Sequence, residues 1–402
     1  MNGREQPEPK RPLVAMLSHA VVHSPYYREQ DWAERLRAGR AIPFRDIPIT
    51  AKSVVRAQTA RFFSDFVPPD DGAVETKHTS GSTGEPLHVR KTDRAVGINL
   101  RENMRLKQGW DFQSHRLVVS VLNPQEDHPI GTLEEQDLPH GAHQWNLHTV
   151  DTRAVFDLLS RTSASMVRGF PSILLGALEH GVEASQTLPL RLVRTVSEVV
   201  PDELRALVRQ IPGCRLVDLY GCIEAGIIAM QCHLCEAYHP AQRHLIFELI
   251  TDEGRRAGPG EMGRVIVTPL FNRAMPLLRY ETGDYALRAK SNDCPLSRVA
   301  LERIVGRQQN LFKLPDGRRI MPRLPGRVAE RLALRKFKLI QTSLADVELH
   351  YIPRDPQAEV AQNLAQELVD TYMAPGFKVR CVRVTELPRA PSGKYLLHEC
   401  LV

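Results

Sequence analysis

The chain has 402 residues, 42% of them hydrophobic and 25% charged, which is enough length for two domains and enough apolar material for ordinary cores. It contains no run of about 18 apolar residues, so the sequence predicts no transmembrane helix and no membrane partner. The net charge of +6 is concentrated after Leu311, where it indicates either a solvated basic face or a surface near phosphates.

The N-terminus and the cysteines indicate the cellular compartment. The first twenty residues are charged and contain prolines, without the apolar core of a secretory signal, so we expect a cytoplasmic protein. Seven cysteines in such a chain are expected to be free thiols or metal ligands rather than a disulfide framework. The sequence has no zinc-finger, homeodomain or RNA-binding motif, and we therefore expect no nucleic-acid partner.

Helical and strand-like segments alternate through the first half of the chain. Residues before Asp71 have the pattern of short helices joined by loops. Buried strands are predicted at 117–122, 166–168 and 214–219, and helices at 154–160 and from Pro201, where acidic residues follow in the first turn. This alternation is typical of layered α/β structure with mostly parallel strands.

The pattern changes after Leu245. The runs IFELI, RVIVTPL and YALRA are separated by glycine and proline turns, which predicts a small antiparallel or barrel-like subdomain. A second compact unit is predicted from Gly306-Arg307 onward, with strands at 337–341, 347–351 and 378–384 and a helix at 358–372. We therefore expect a large N-terminal α/β domain over residues 1–306 and a small, mobile C-terminal α+β domain over residues 307–402.

A glycine-rich loop is the sharpest local feature of the sequence. The segment HTSGSTGEP contains the loop residues Thr79, Ser80, Gly81, Ser82, Thr83 and Gly84. Glycines let the backbone approach a ligand closely, and hydroxyl and N–H groups can donate to phosphate oxygens. The loop lacks the GK[ST] ending of a Walker P-loop. By itself it could be a phosphate-binding loop of another class or an ordinary surface turn.

Five segments, in order along the chain, resemble the motifs of the adenylate-forming superfamily, which includes acyl-CoA synthetases, adenylation domains of peptide synthetases and luciferases. TSGSTGEP is similar to its phosphate-binding loop, and the others are VSE at 196–198, DLYGCIE at 218–224, RYETGD at 279–284 and PRAPSGK at 388–394. Gly306-Arg307 fits the linker into its small domain. The resemblance runs from about Ala73 to the C-terminus. Compact length and the segment GFPS at 169–172 are most similar to the phenylacetate–CoA ligase branch.

The resemblance implies a reaction in which ATP activates a carboxylic acid as its acyl-adenylate and pyrophosphate is released. It implies that Glu224 holds Mg²⁺, that Asp284 binds the ribose hydroxyls, and that Arg307 contacts ribose or phosphate. Lys394 is the implied catalytic lysine, because a cation between the carboxylate and the α-phosphate would stabilise the transition state. Beside the loop residues, the implied nucleotide-binding set contains Ser197, Glu198, Tyr220 and Gly221. A purely structural role for Tyr220 remains open.

Two positions depart from the pattern of the superfamily. Gln308-Gln309 stand where an acidic hinge residue is usual, which weakens the expectation that CoA is the acceptor. Glu281 replaces the arginine that commonly precedes Thr-Gly-Asp. The acyl pocket cannot be read from the sequence, and Trp110, Trp145 and Phe170 could either line it or belong to the core.

A zinc site is a further hypothesis. Cys232 and Cys235 have the Cys-x-x-Cys spacing of half a zinc site, with His239 shortly after them. Some members of the phenylacetate–CoA ligase branch look similar here, and the match implies a closed structural site made of Cys232, Cys235, His239 and Cys294. The alternative is a set of reduced thiols with ordinary packing.

The leading hypothesis is therefore an AMP-forming acid ligase that uses ATP and Mg²⁺ and transfers the acyl group to CoA. An amine or a carrier-protein thiol could accept the acyl group instead. A further alternative is a non-catalytic nucleotide-binding protein, although the joint presence of Lys394, Asp284 and Glu224 argues against it. An aryl or heteroaryl acid is favoured as substrate by the resemblance alone.

Overall fold

The computed structural model describes residues 10–78, 87–138, 141–322, 328, 331–387 and 397–402. It divides into two compact units, Met1–Ser114 with Val217–Ile304, and His115–Leu216 with Val305–Val402. The second unit groups the C-terminal segment with the middle of the chain, and the predicted domain boundary at residue 306 stays a prediction. Within the described ranges no helix is both long enough and apolar enough to cross a membrane.

The first segment is helical, as the sequence predicts, and ends in a hairpin and a long helix. Its elements are α1 (Lys10–His23), α2 (Pro25–Arg28), α3 (Asp31–Arg37), α4 (Lys52–Ala57), α5 (Thr59–Phe62), β1 (Val74–His78), β2 (His88–Thr92) and α6 (Asp93–Lys107). Strands β1 and β2 are antiparallel, with His78 opposite His88. Helix α6 begins where the Thr92 side chain accepts a hydrogen bond from the Ala95 N–H. In sequence, the glycine-rich loop connects β1 to β2.

The middle segment is an α/β layer. Its elements are β3 (Leu117–Leu122), β4 (Leu133–Leu138), β5 (Ala142–His148), α7 (Thr152–Thr162), β6 (Met166–Gly169), α8 (Pro171–Glu183), β7 (Leu192–Val196) and α9 (Asp202–Gln210). Strands β7, β6, β3 and β5 lie side by side in parallel, and β4 pairs antiparallel with β5 at the edge. The apolar faces of α7 and α8 pack with β3 and β6 in one core. The predicted α/β layering is confirmed.

The segment over residues 215–307 has antiparallel ladders between its strands. Its strands are β8 (Arg215–Cys222), β9 (Gly226–Gln231), β10 (Tyr238–Pro240), β11 (Leu245–Ile250), β12 (Met262–Pro269), β13 (Tyr280–Arg288) and β14 (Leu301–Arg307). Antiparallel ladders join β8 to β9, β9 to β10, β10 to β14, β11 to β12 and β12 to β13. In the first unit, this sheet packs with α1, α2 and α4 in a core that includes Tyr27, Val55 and Tyr280.

The C-terminal segment forms a small sheet with its own core. Its elements are β15 (Phe312–Lys313), β16 (Arg319–Ile320), β17 (Leu334–Gln341), β18 (Asp346–Pro353), α10 (Gln362–Tyr372), β19 (Lys378–Arg383) and β20 (His398–Cys400). The four-stranded sheet has the order β19-β18-β17-β20. The predicted start of α10 at residue 358 was wrong. Asp355 accepts a hydrogen bond from Gln357 N–H and its carbonyl accepts one from Ala358 N–H, so a local turn competes with the first helical turn.

Candidate active site and metal centre

Two tyrosine–carboxylate pairs join the DLYGCIE and RYETGD motifs within the first unit. The Tyr220 hydroxyl on β8 donates to Asp284 Oδ2 at 2.7 Å, and the Tyr280 hydroxyl on β13 donates to Glu224 Oε1 at 2.7 Å. Each motif therefore supplies the tyrosine that holds the carboxylate of the other. Burial and the neighbouring carboxylate charge raise the pKa of both tyrosines well above the ordinary range, so both hydroxyls remain donors.

Glu224 lies in the turn between β8 and β9 and is almost completely buried. Its Oε1 also faces the Lys52 ammonium, with Nζ at 2.9 Å. Burial acts to raise the pKa of Glu224, but the charge of Lys52 and the Tyr280 hydrogen bond outweigh it and hold the pKa below its ordinary value. Glu224 is therefore an ionised carboxylate, which is the oxygen ligand that Mg²⁺ prefers.

Lys52 reaches Glu224 because the segment before α4 is fixed on β13. Thr50 N–H donates to the Arg279 carbonyl at 3.0 Å, and Glu281 N–H donates to the Thr50 carbonyl at 2.9 Å. The buried Arg279 side chain donates to both carboxylate oxygens of Glu248, at 3.0 and 3.1 Å. Arg279 also donates to the backbone carbonyls of Arg45 and Ile47, at 2.7 Å each.

Sequence analysis missed Lys52. It belongs to no motif, and it lies far from Glu224 along the chain, so no local signal in the sequence could have paired the two. The pairing arises from the tertiary contact between the segment before α4 and β13.

Asp284 sits at an irregularity in β13. Gly283 has a φ of +83°, a backbone conformation that favours glycine. The Thr282 hydroxyl donates to the Val265 carbonyl at 3.1 Å and accepts the Asp284 N–H at 3.2 Å. These contacts fix the Asp284 backbone while Tyr220 holds Oδ2. The arrangement suits a carboxylate whose other oxygen accepts from hydroxyl groups of a ligand.

The second unit contains three further predicted residues. Glu198 accepts hydrogen bonds from Ser172 N–H at 2.9 Å and Ser172 Oγ at 3.2 Å, which caps the first turn of α8. The preceding Ser197 has a φ of +73°. Arg307 follows Gly306, where a Cβ atom would lie 3.0 Å from Val199 Cγ2 and the φ is +103°. The structure therefore gives Glu198 a helix-capping contact, and its adenine contact stays a prediction.

Of the other predicted positions, one lies on β8 and the rest lie outside the described residues. Gly221 on β8 is packed tightly, since a Cβ atom there would lie 2.5 Å from the Gly226 carbonyl oxygen. The loop residues Thr79, Ser80, Gly81, Ser82, Thr83 and Gly84, and Lys394 with its motif, lie outside the described residues. Their roles stay predictions.

The three candidate pocket aromatics pack in the protein interior. Trp110 is buried and donates its indole N–H to the Gln231 carbonyl at 3.0 Å. Trp145 and Phe170 are partly buried against the core of the middle segment. Packing against the core therefore buries much of each side chain, and a part for any of them in an acyl pocket stays a hypothesis.

Cys232, Cys235, His239 and Cys294 come together in the first unit. Their ligand atoms all lie within 4.8 Å of one another. Cys232 Sγ and Cys294 Sγ are 3.8 Å apart, and Cys235 Sγ and His239 Nε2 are 3.4 Å apart. Tetrahedral zinc, with its usual bond lengths, separates two sulfur ligands by about 3.8 Å and a sulfur from a nitrogen by about 3.6 Å. The four residues therefore fit a zinc ion.

Contacts around the cluster also suit a metal. His239 Nδ1 lies 2.8 Å from the Val299 carbonyl, so this nitrogen carries the proton and Nε2 presents its lone pair to the cysteines. Leu234 N–H donates to Cys232 Sγ at 3.4 Å, a backbone contact that helps to orient this sulfur. Four protein ligands leave no open position, which is typical of structural zinc.

The chain matches no family model of known proteins. The phenylacetate-coenzyme A ligase of Pseudomonas putida is 22% identical over 313 residues, which are 74% of this chain and 69% of that protein. The chain also matches a crystal structure of 2-hydroxyisobutyryl-CoA ligase in the postadenylation state with R3-HIB-AMP. This match covers 97% of this chain and 88% of the ligase chain, with a TM-score of 0.72 and 16% identity.

A match to the structure of the amide bond synthetase McbA from Marinactinospora thermotolerans covers 79% of this chain and 66% of the McbA chain. Its TM-score is 0.56 and its identity 18%. At these identities the structural matches show a shared fold.

Proposed function

We propose that this chain, an adenylate-forming enzyme by fold and similar in sequence to a phenylacetate–coenzyme A ligase, activates a carboxylic acid with ATP and transfers the acyl group to CoA. One observation supports this proposal most strongly. The Tyr220 hydroxyl holds the Asp284 carboxylate in a fixed position, and the Tyr280 hydroxyl does the same for Glu224. Fixed carboxylates in the two nucleotide motifs are what positioning of ATP and Mg²⁺ requires.

In the first half-reaction, a carboxylate oxygen of the acid attacks the α-phosphorus of ATP, and the bond to pyrophosphate breaks. Glu224 would hold Mg²⁺, which supplies charge neutralisation for the phosphates. Lys52 already balances the charge of this carboxylate, so the metal would join or replace an ammonium group. We therefore include Lys52 in the proposed site, as a residue that sets the affinity of Glu224 for cations.

The remaining residues would orient the nucleotide and stabilise developing charge. Asp284 would accept hydrogen bonds from the ribose hydroxyls, and Arg307 would contact ribose or phosphate. Ser197, Glu198, Tyr220 and Gly221 would lie near adenine, and residues 79–84 would bind phosphates. Lys394 would place its ammonium group between the substrate carboxylate and the α-phosphate, where negative charge increases in the transition state.

In the second half-reaction, the acceptor attacks the acyl carbon and AMP leaves. CoA is the acceptor that we propose, because both ligases matched above carry CoA in their names. An amine is the second candidate, favoured by Gln308-Gln309 at the hinge and by the fold shared with an amide bond synthetase. An aryl acid is the proposed substrate class, on the basis of the phenylacetate relative. The cytoplasmic location stays a prediction.

Zinc is proposed as a structural component of this enzyme. Cys232, Cys235 and His239 follow the Glu224 turn in sequence, and Cys294 follows β13. A metal bound to all four would connect these segments covalently to one centre and contribute to folding stability. None of the four residues is given a part in the chemistry.

The test is acid-dependent pyrophosphate release across a panel of aryl, heteroaryl and short aliphatic acids. Each acid is assayed without acceptor, with CoA and with a panel of amines. We expect one aryl acid class to stimulate release, and CoA to yield an acyl-CoA that mass spectrometry detects. Amide products without thioesters would reject CoA as the acceptor, and no acid-dependent release with any member would contradict the proposed activity.

A further inference from the structure

Two histidines and a glutamate meet in the middle segment, and the functional proposal uses none of them. His128 lies between β3 and β4, Glu134 lies on β4, and His148 ends β5. His128 Nε2 is 3.1 Å from Glu134 Oε1, and His148 Nε2 is 3.2 Å from Glu134 Oε2. The two imidazole rings are stacked, with centroids 4.6 Å apart and an angle of 12° between planes. Both rings therefore direct the same nitrogen at one carboxylate.

Backbone contacts hold the three residues in place. Gln125 and His128 exchange N–H···O bonds of 2.9 and 3.1 Å, which closes the turn that contains His128. His148 N–H donates to the Thr132 carbonyl at 2.9 Å, and Gly131 N–H donates to the His148 carbonyl at 2.8 Å. The β4–β5 ladder places Glu134 opposite Asn146. The arrangement is thus part of the sheet and its loop rather than a chance meeting of long side chains.

His148 can present a metal-binding nitrogen. Its side chain is buried, and its Nδ1 lies 3.4 Å from the Asn123 carbonyl, which accepts from the ring in the tautomer with the proton on Nδ1. In that tautomer Nε2 directs its lone pair toward the Glu134 carboxylate, 3.2 Å away, where a metal ion would bind both groups.

The separations fit a metal ion. Zinc bound to an imidazole nitrogen and a carboxylate oxygen, at bond lengths of about 2.0–2.1 Å, separates the two ligand atoms by about 3.3 Å. The structure has 3.1 and 3.2 Å. Two imidazoles and one carboxylate leave a fourth position for water, as in zinc sites whose metal keeps an open position. All three ligand atoms lie within 4.8 Å of one another.

We propose that His128, Glu134 and His148 form a second metal site, for a divalent transition ion such as zinc, with ligands different from those of the cysteine cluster. Imidazole and carboxylate ligands suit Zn²⁺, Co²⁺ and Ni²⁺ better than Mg²⁺ or Ca²⁺. With three protein ligands instead of four, this site binds zinc more weakly than the cysteine cluster does. The metal would join the β3–β4 connection to the end of β5.

The experiment is zinc and cobalt titration of the full chain, purified without a histidine tag and stripped of metal. We expect two zinc ions per wild-type chain, one per chain in Glu134→Gln and in Cys235→Ser, and none in the double variant. Cobalt in Cys235→Ser should give the visible bands of a nitrogen–oxygen site without the thiolate-to-metal bands of the cysteine cluster. His143→Asn is the matched control, because His143 also pairs with carboxylates, Asp137 and Glu135, in the same sheet.

Glu134 and His128 are both partly exposed, so substitutions there should leave the fold intact, and thermal melting of the metal-free variants checks this. His128→Asn should lose the same zinc ion as Glu134→Gln. One zinc per wild-type chain, with Glu134→Gln unchanged and Cys235→Ser empty, would overturn the proposal and leave two histidine–glutamate hydrogen bonds in its place. Neither result bears on the proposed ligase activity.

Discussion

The carboxylates of the DLYGCIE and RYETGD motifs and the side chains of the cysteine cluster differ in the groups that they contact. Glu224 has an ammonium and a phenol hydroxyl as partners, and Asp284 has a phenol hydroxyl, so a protein group holds each carboxylate in this structure. In the cysteine cluster, three thiols and an imidazole nitrogen face one another around one point. A conservative change of one carboxylate removes the charge that the proposed chemistry uses, whereas a change in the cluster would remove the proposed zinc and its contribution to folding. Substitutions should therefore separate activity from stability.

Among substitutions in these regions, the largest expected effect is on activity. Glu224→Gln removes the charge that would face Mg²⁺ but keeps the shape of the side chain, so we expect turnover to fall by about 100-fold. Nucleotide affinity should change much less. Acid-dependent pyrophosphate release over a Mg²⁺ titration measures the loss. Glu302→Gln, an exposed carboxylate on β14, is the control. Equal activity of Glu224→Gln and Glu302→Gln would remove Glu224 from the metal site.

The next effect is on stability. Cys235→Ser should remove the zinc ion from the cluster and lower the melting temperature by about 5–10 °C, because a structural site couples metal binding to folding. Elemental analysis and thermal melting measure both quantities. Cys381→Ser changes a cysteine of the second unit that lies outside the cluster, and neither quantity should change. A zinc-free Cys235→Ser with the wild-type melting temperature would show that the cluster is not a structural metal site.

A smaller effect is expected at Lys52. Its ammonium competes with Mg²⁺ for the same carboxylate oxygen, so Lys52→Met should lower the Mg²⁺ concentration at half-maximal activity several-fold. Lys52→Arg keeps the charge and should behave closer to wild type. The measurement is activity against free Mg²⁺ at constant ionic strength. An unchanged or higher Mg²⁺ requirement in Lys52→Met would show that Lys52 does not compete with the metal.

The smallest effect concerns His398, which lies in the C-terminal segment, outside both regions. Burial, followed by the charge of Lys338, lowers the pKa of His398 to about 4. Between its ordinary pKa and this value, only the unfolded chain takes up the proton, so stability falls as the pH drops through this window. His398→Leu should therefore flatten the decline of the melting temperature below about pH 6.5, without changing its slope above that pH. Parallel profiles of the two proteins would contradict this assignment.

The sequence predicted the strands and helices that depend on patterns of neighbouring residues. Short apolar runs predicted the strands of the middle segment, and strand-like runs between glycine and proline turns predicted an antiparallel or barrel-like subdomain after Leu245. The cysteine set was named from spacing together with the resemblance, and the structure brings its members together.

What the sequence could not show depends on tertiary contact. Lys52 meets Glu224 only because Arg279 and Thr50 fix the segment before α4 on β13. The hydrogen bond from the tyrosine of each motif to the carboxylate of the other depends on how β8 and β13 lie in the first unit. His128 and Glu134 become neighbours of His148 through the β4–β5 register. The helix-capping contact of Glu198 was also invisible, because its partner Ser172 lies on another element.

The central claim is that the chain forms an acyl-adenylate, and ATP–pyrophosphate exchange with the best acid of the panel tests it most directly. This exchange reports reversal of the first half-reaction and needs no acceptor. We predict acid-dependent exchange in the wild-type chain, with a loss of several orders of magnitude in Lys394→Ala while ATP still binds. Exchange at the wild-type rate in Lys394→Ala would remove this lysine from its role, and absence of acid-dependent exchange in the wild-type chain would contradict the account itself.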